Sequence, residues 1–171
     1  KDNYRFKIIR SIYSSPEGKL YLGTYGGLHI FDCKTFSDRH LINLPGNVSC
    51  ISHNSIFKIM GDAAGKIWIA TYGGGLNRYD PNTGTFIAFQ TESGNPESIS
   101  SNNVFEIYLD RERVLWVGTV DSGICLLNLN AQPLRTIVHH PGTAKTISKG
   151  HIRVLLPEND SILWIGFNGA G

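Results

Sequence analysis

Apolar and polar residues alternate along most of the chain in short runs that are separated by turn residues. The stretch from Gly65 to Phe86, GKIWIATYGGGLNRYDPNTGTF, holds two such runs, a glycine cluster between them and an Asp-Pro-Asn turn after the second. Alternation places successive side chains on opposite faces of a strand. No run keeps a 3.6-residue apolar period over the roughly ten positions that a helix requires. The pattern therefore predicts an all-β chain.

The same pattern recurs with a period of about 48 residues. Trp68, Trp116 and Trp164 stand 48 residues apart, and Tyr21 takes the equivalent place in a first copy. The pattern of each full copy predicts four short strands, which is typical of one blade of a β-propeller. We predict a β-propeller fragment of about three and a half four-stranded blades, with repeats at residues 7–50, 51–98, 99–146 and a half blade at 147–171. The tryptophans are expected to fill the spaces between blades.

The glycine cluster is interpreted as a hairpin turn and not as a phosphate-binding loop. TYGG and TYGGG follow the second strand of their copies, and TVDSG stands at the same place in the third. A phosphate loop keeps its glycines and leads from a strand into a helix. Glycine in these turns instead supplies the positive φ angles that tight hairpins need.

Composition and charge exclude two classes of partner. The 171 residues include 41% hydrophobic residues, enough for a core, and the formal net charge is only +2. Lys and Arg are scattered singly, so no basic stripe for nucleic acid is present. No apolar run approaches the roughly 18 to 20 residues that cross a bilayer. We therefore expect no nucleic-acid partner and no direct membrane insertion by this segment.

No metal, cofactor or catalytic site is expected. The six histidines include no HxxxH pair, and the three cysteines form no CxxC motif. Asp62, Asp80 and Asp110 fall at turns or hairpin ends, where carboxylates usually bond the turn backbone. No Gly-x-Ser-x-Gly elbow for a nucleophile is present. The segment is therefore predicted not to be an enzyme.

The residues also carry a family resemblance. SISSNNVFEIYLDRERVLWVGTVDSGICLLN and GDAAGKIWIATYGGGLNRYDPNTGTF resemble the two-component regulator propeller repeat, although Ala70 stands where the pattern has glycine. The resemblance covers nearly the whole chain. It implies a seven-bladed propeller in the periplasmic sensory region of a hybrid two-component sensor histidine kinase, an inner-membrane protein whose kinase lies elsewhere in its chain.

The resemblance implies that the segment senses a ligand, and it supplies an oligosaccharide as the class of cue. Two alternatives stay open: a carbohydrate-active propeller enzyme, such as a glycosidase or lyase, and a propeller that serves as a protein-binding scaffold. Release of products from a glycan digest would favour the enzyme, whereas binding without turnover would favour the sensor.

Topology predicts where a ligand would bind. In a propeller, the turns between the second and third strands share one face with the connections between blades, and this face commonly opens onto the central funnel. The hairpins place Tyr25, Tyr72, Asp121 and Asn168 there, and the connections place His53, Asn102, Asn103 and His151 there. Aromatic rings stack on sugar C–H faces, and amides bond hydroxyls. The alternative is that the tyrosines pack on neighbouring blades and the asparagines cap turns.

An open propeller fragment is also expected to associate. Three and a half blades leave an unpaired strand edge and two apolar blade faces uncovered. A two-fold homodimer would supply seven blades if the segment NYRFKII, residues 3–9, pairs with the half blade of a partner. We therefore expect a homodimer, or other association through the open edges.

Overall fold

The computed structural model describes residues 8–130, 135–139, 141–142, 146–159 and 161–168, and the regular elements within these ranges are all β-strands. These strands form three four-stranded antiparallel sheets and one two-stranded hairpin. The strands of each sheet follow chain order from one edge to the other. The arrangement confirms the prediction of an all-β propeller fragment with three full blades and a half blade.

The strands are numbered in chain order. Blade 1 contains β1 (Ile9–Ser14), β2 (Lys19–Thr24), β3 (Gly27–Asp32) and β4 (Ser37–Leu41). Blade 2 contains β5 (Ile56–Gly61), β6 (Ile67–Thr71), β7 (Gly75–Asp80) and β8 (Thr85–Phe89). Blade 3 contains β9 (Val104–Leu109), β10 (Val114–Thr119), β11 (Ile124–Asn128) and β12 (Arg135–Ile137). The half blade contains β13 (His151–Asn159) and β14 (Ile162–Asn168).

The blades pack face to face along their first strands. β1 contacts β5, β5 contacts β9, and β9 contacts β13. Three clusters of buried apolar side chains fill the spaces between successive blades. Because the first strand of a propeller blade lies nearest the central axis, β1, β5, β9 and β13 are called the inner strands below.

The tryptophans occupy equivalent places but differ in burial. Trp68 is only 1% exposed and lies in the cluster between blades 2 and 3, where its indole Nε1 donates to Asp62 Oδ2 at 2.9 Å. Trp116 is partly buried against the half blade, and its Nε1 donates to Asp110 Oδ2 at 2.8 Å. Trp164 is 60% exposed. The expectation that it fills a space between blades is wrong, because no blade lies beyond β14 in the described residues.

Tyr21 takes the tryptophan position in blade 1. Its side chain is buried between blades 1 and 2, with its ring centroid 6.4 Å from that of Tyr79. Burial raises the pKa of Tyr21 to about 12. A phenol is already neutral at physiological pH with its ordinary pKa, so this apolar interface holds an uncharged group.

The glycine clusters form hairpin turns, as predicted. The Thr71 hydroxyl donates to the carbonyl oxygen of Gly75 at 2.7 Å, and Thr24 and Thr119 make the equivalent bond in blades 1 and 3. Gly75 has a φ of +75°, and a Cβ there would overlap the carbonyl oxygen of Phe89. Only glycine fits that position without strain.

Apolar side chains are exposed at both ends of the row of blades. Ile9 and Ile12 are exposed on β1, and Leu156 and Trp164 are exposed on the half blade. These two surfaces are called the end faces. Each corresponds to a blade face that, in a closed propeller, packs against a neighbour.

Candidate functional site

The hairpin turns between second and third strands lie at the same end of the blades as the starts of the inner strands. Ile9 pairs with Thr24, and Ile56 pairs with Thr71, so each inner strand begins beside the turn of its own blade. This end of the blades is called the turn face. The connections that lead into the inner strands reach the same face.

Each inner strand carries a β-bulge close to this face. In blade 2, Ile56 pairs with Thr71 and Lys58 pairs with Ala70, so Phe57 has no partner of its own. A bulge of this kind leaves one residue outside the ladder and redirects its side chain. The same irregularity occurs in all four inner strands. The residues displayed in this way, called the bulge row, are Arg10, Phe57, Phe105 and Arg153.

The bulge row forms one continuous stack across the four blades. The ring centroids of Phe57 and Phe105 are 4.2 Å apart. The guanidinium carbon of Arg10 lies 4.6 Å from the centroid of Phe57, and that of Arg153 lies 4.4 Å from the centroid of Phe105. Both distances are within the range of cation–π attraction. Two phenylalanines are thus flanked by two guanidinium groups.

Two predicted site residues join this stack from the hairpin turns. The Tyr25 ring centroid lies 5.9 Å from that of Phe57, and the Tyr72 centroid lies 6.0 Å from Phe57 and 6.2 Å from Phe105. Tyr25 and Tyr72 are 46% and 44% exposed. The bulge row together with these two tyrosines is called the aromatic arc. It presents aromatic surface and two phenol hydroxyls on the turn face.

Among the residues that the structure describes, the charges around the arc leave its arginines without carboxylate partners. Lys58 Nζ lies 2.8 Å from Glu106 Oε1, so the acidic group next to Phe105 is already paired. In the part of the chain that the structure describes, no carboxylate oxygen lies within 4.0 Å of the side-chain nitrogens of Arg10 or Arg153. Both arginine side chains are exposed.

Two other predicted residues support the turns. His53 Nδ1 accepts a hydrogen bond from the backbone N–H of Ser55 at 3.1 Å. The carbonyl oxygen of Asn102 accepts from Gly73 at 3.0 Å and from Gly75 at 2.8 Å, while its Oδ1 accepts from the backbone N–H of Thr91 at 2.9 Å. These bonds fix the connections against the hairpin of blade 2.

The remaining predicted residues lie at three places on the turn face. Asn103 forms a backbone bridge with Tyr72 at the edge of the arc. His151 and Asn168 pair across the half blade and are exposed. Asp121 lines a separate cavity of about 440 Å³, together with Lys149. The structure therefore brings Tyr25, Tyr72 and Asn103 together and places the other three farther along the row of blades.

The bulge row was missed by the sequence reasoning, although a signal for it is present. Buried residues of β5 and β9 are three positions apart, as at Ile56 and Ile59 or Val104 and Ile107. Strands without irregularity bury residues two or four positions apart on one face. A spacing of three therefore marks an extra residue, and the residue after Ile56 or Val104 is the one displayed.

The carboxylates of the β5–β6 and β9–β10 turns serve the turns themselves. Asp62 Oδ1 accepts from the backbone N–H groups of Ala64 and Lys66, and Asp110 Oδ1 accepts from that of Val114. No group of three or more potential metal ligands occurs in the described ranges. Nor do those ranges contain a helix that is long and apolar enough to span a bilayer.

Sequence comparison identifies the repeat. Residues 50–73 and 98–121 match the family model of the two-component regulator propeller. This match confirms the resemblance that the repeated motifs indicated. A comparison with curated protein sequences gave no match.

Solved structures share the fold. The extracellular domain of a hybrid two-component system from B. thetaiotaomicron is 26% identical with a TM-score of 0.80, over 93% of this chain and 22% of that chain. A second such domain from the same organism is 18% identical with a TM-score of 0.52, over 93% and 26%. Virginiamycin B lyase from Staphylococcus aureus is 12% identical with a TM-score of 0.66, over 94% and 49%. The chain thus spans about a quarter or less of the two extracellular domains.

Proposed function

We propose that this chain is part of the extracytoplasmic ligand-sensing region of a hybrid two-component sensor kinase, and that it recognises an oligosaccharide. The regulator propeller repeats and the similarity to an extracellular domain of such a system support the sensor role. The aromatic arc is the observation that supports an oligosaccharide as the ligand. In this proposal the segment lies in the periplasm and the kinase lies in another part of the protein.

The arc has the chemistry that sugars require. A pyranose ring has an apolar C–H face that packs on aromatic rings and an edge of hydroxyls that need hydrogen-bond partners. Tyrosine provides both an apolar body and a polar tip. Because Tyr25 and Tyr72 are about half exposed and are held against Phe57, they offer fixed stacking surfaces. A ligand bound there would contact three blades at once.

The enzyme alternative has less support from the structure. Virginiamycin B lyase, which is 12% identical, shares only the fold with this chain. Catalysis of glycoside cleavage usually uses two carboxyl groups about 5 to 10 Å apart. Next to the arc, Glu106 is engaged by Lys58. Asp62 and Asp110 lie at the opposite end of their blades, where they are bonded to turn backbone. Incubating the protein with glycan digests and analysing products by mass spectrometry separates the two: we expect binding without new products.

Replacing Tyr72 with alanine is expected to weaken oligosaccharide binding about tenfold, because one stacking surface and one hydroxyl are lost. The free energy of unfolding should change by only about 1 kcal/mol, since the side chain is about half exposed and packs on other rings of the arc. Titration calorimetry with fractions of glycan digests measures the affinity. Phe36→Ala is the control, because Phe36 is an exposed aromatic residue of the β3–β4 turn. If Tyr72→Ala binds the oligosaccharide as tightly as the unchanged protein does, Tyr72 is not part of the site.

We also propose that the 171-residue chain forms a homodimer through its end faces. Ile12 and Trp164 are 62% and 60% exposed, and apolar surface of this kind promotes association. Residues 3–7 of the segment expected to pair with a partner lie outside the described residues. Light scattering at micromolar concentration should give twice the chain mass of 18.9 kDa. Ile12→Glu should shift the protein towards monomer, and a stable monomer of the unchanged protein would contradict the proposal.

A further inference from the structure

The two arginines of the bulge row narrow the class of ligand that the arc would bind. We propose that the aromatic arc selects acidic oligosaccharides, which carry uronic acid carboxylates, and that Arg10 and Arg153 are the residues that bind those carboxylates. This inference rests on the proposed function and names the substrate class of the same site. It concerns specificity, because the rings of Phe57 and Phe105 would accept neutral and acidic sugars alike.

The position of the guanidinium groups follows from the stack. Arg10 lies over Phe57 and is also 5.6 Å from the centroid of Tyr25, and Arg153 lies over Phe105. Contact with an aromatic face restrains a guanidinium group but leaves its edge N–H donors free. The planar fork of those donors matches a carboxylate, with two parallel hydrogen bonds. Both ends of the arc thus offer a partly ordered carboxylate receptor.

The described carboxylates near the arc are engaged by groups other than these two guanidinium groups. The carboxylate next to Phe105, on Glu106, is paired with Lys58 at 2.8 Å. The other acidic residue predicted for this face, Asp121, accepts a hydrogen bond from the Ser122 hydroxyl at 3.2 Å and lines the separate cavity. A ligand carboxylate would therefore not have to displace an internal ion pair from Arg10 or Arg153.

A purely structural role is the competing explanation. The arginines could serve only to cover the edges of Phe57 and Phe105 and to join neighbouring blades. In that case, neutralising them would change the binding of acidic and neutral sugars equally, through a shift of the rings. If the arginines bind the ligand carboxylates, the loss of affinity should instead be restricted to acidic sugars.

The experiment uses pairs of oligosaccharides that differ only in charge. Trisaccharides of galacturonic acid and of mannuronic acid are compared with their carboxyl-reduced forms, which keep length and linkage but carry a neutral hydroxymethyl group. Affinities of the unchanged protein, Arg10→Gln and Arg153→Gln are measured by calorimetry at low and high salt. Arg111→Gln, in the β9–β10 turn at the opposite end of blade 3, is the charge-matched control.

We expect the unchanged protein to bind at least one acidic trisaccharide about tenfold or more tightly than its reduced form, and added salt to diminish the difference. Each arginine variant should lose about tenfold for the acidic form and little for the reduced form, whereas Arg111→Gln should match the unchanged protein. Equal or tighter binding of the reduced forms would overturn the acidic specificity and leave the oligosaccharide site standing. If no trisaccharide binds, both proposals fail.

Discussion

Replacing Trp68 with alanine is expected to lower the free energy of unfolding by about 3 to 5 kcal/mol. Trp68 is 1% exposed, lies in the apolar cluster between blades 2 and 3, and its ring centroid is 5.7 Å from that of Phe89. The substitution would leave a cavity in that cluster and deprive Asp62 Oδ2 of the indole donor. Urea denaturation followed by far-ultraviolet circular dichroism measures the loss.

The repeat provides a matched control at Trp164. This residue holds the same position in the half blade and makes the same type of hydrogen bond, from Nε1 to Glu158 Oε2 at 2.6 Å, but it is 60% exposed. Trp164→Ala should therefore cost only about 0.5 kcal/mol. Both variants are measured below the concentration at which light scattering detects association. Equal losses at the two positions would show that burial between blades does not distinguish them.

Gly118→Ala is expected to destabilise the protein by about 1 to 3 kcal/mol through overpacking. A Cβ at Gly118 would lie 2.7 Å from Cγ2 of Ile152, which is fully buried on the inner strand of the half blade. Gly23 meets Ile56 in the same way, with a Cβ distance of 2.5 Å. Both glycines allow the second strand of one blade to approach the inner strand of the next.

The interface between blades 2 and 3 indicates a compensating change. There, Ala70 takes the glycine position, and the facing inner strand begins with Val104, which is one methylene shorter than isoleucine; both are fully buried in one cluster. Adding Ile152→Val to Gly118→Ala reproduces that pair. Valine keeps Cγ2 but lacks Cδ1, so the smaller side chain has room to shift away from the new methyl group. We expect the double variant to lose about 1 kcal/mol less unfolding free energy than the two single variants lose in sum. Additive losses would contradict size compensation at this position.

The departure of Ala70 from the repeat pattern thus coincides with a smaller residue, Val104, in the same cluster, which the repeat pattern alone did not reveal. The 48-residue period and the alternation around Trp68 were enough to predict blades and hairpins, because both depend on local periodicity. The burial of Ala70 and Val104 in one cluster depends on which strands of neighbouring blades contact each other. Periodicity within one blade carries no information on that contact.

The limit of local periodicity also explains why only part of the candidate site was predicted. Tyr25 and Tyr72 could be placed on the turn face, because their positions follow from the hairpin turns. Phe57 and Phe105 were not placed there, because a strict alternation sends residues next to a buried position to the opposite face, and only a bulge changes that direction. The arc arises from tertiary contacts between bulges in different blades.

The bulges also separate stability from specificity. A bulged residue lies outside the paired register of its strand, while its neighbours on either side, such as Ile56 and Lys58, keep the ladder intact. An exchange at Phe57 or Arg153 would therefore alter the chemistry around the axis while leaving strand pairing unchanged. Each blade contributes one such interchangeable position, so under the proposed function the ligand preference would be redesigned one blade at a time, by substitutions at a site that recurs with the repeat.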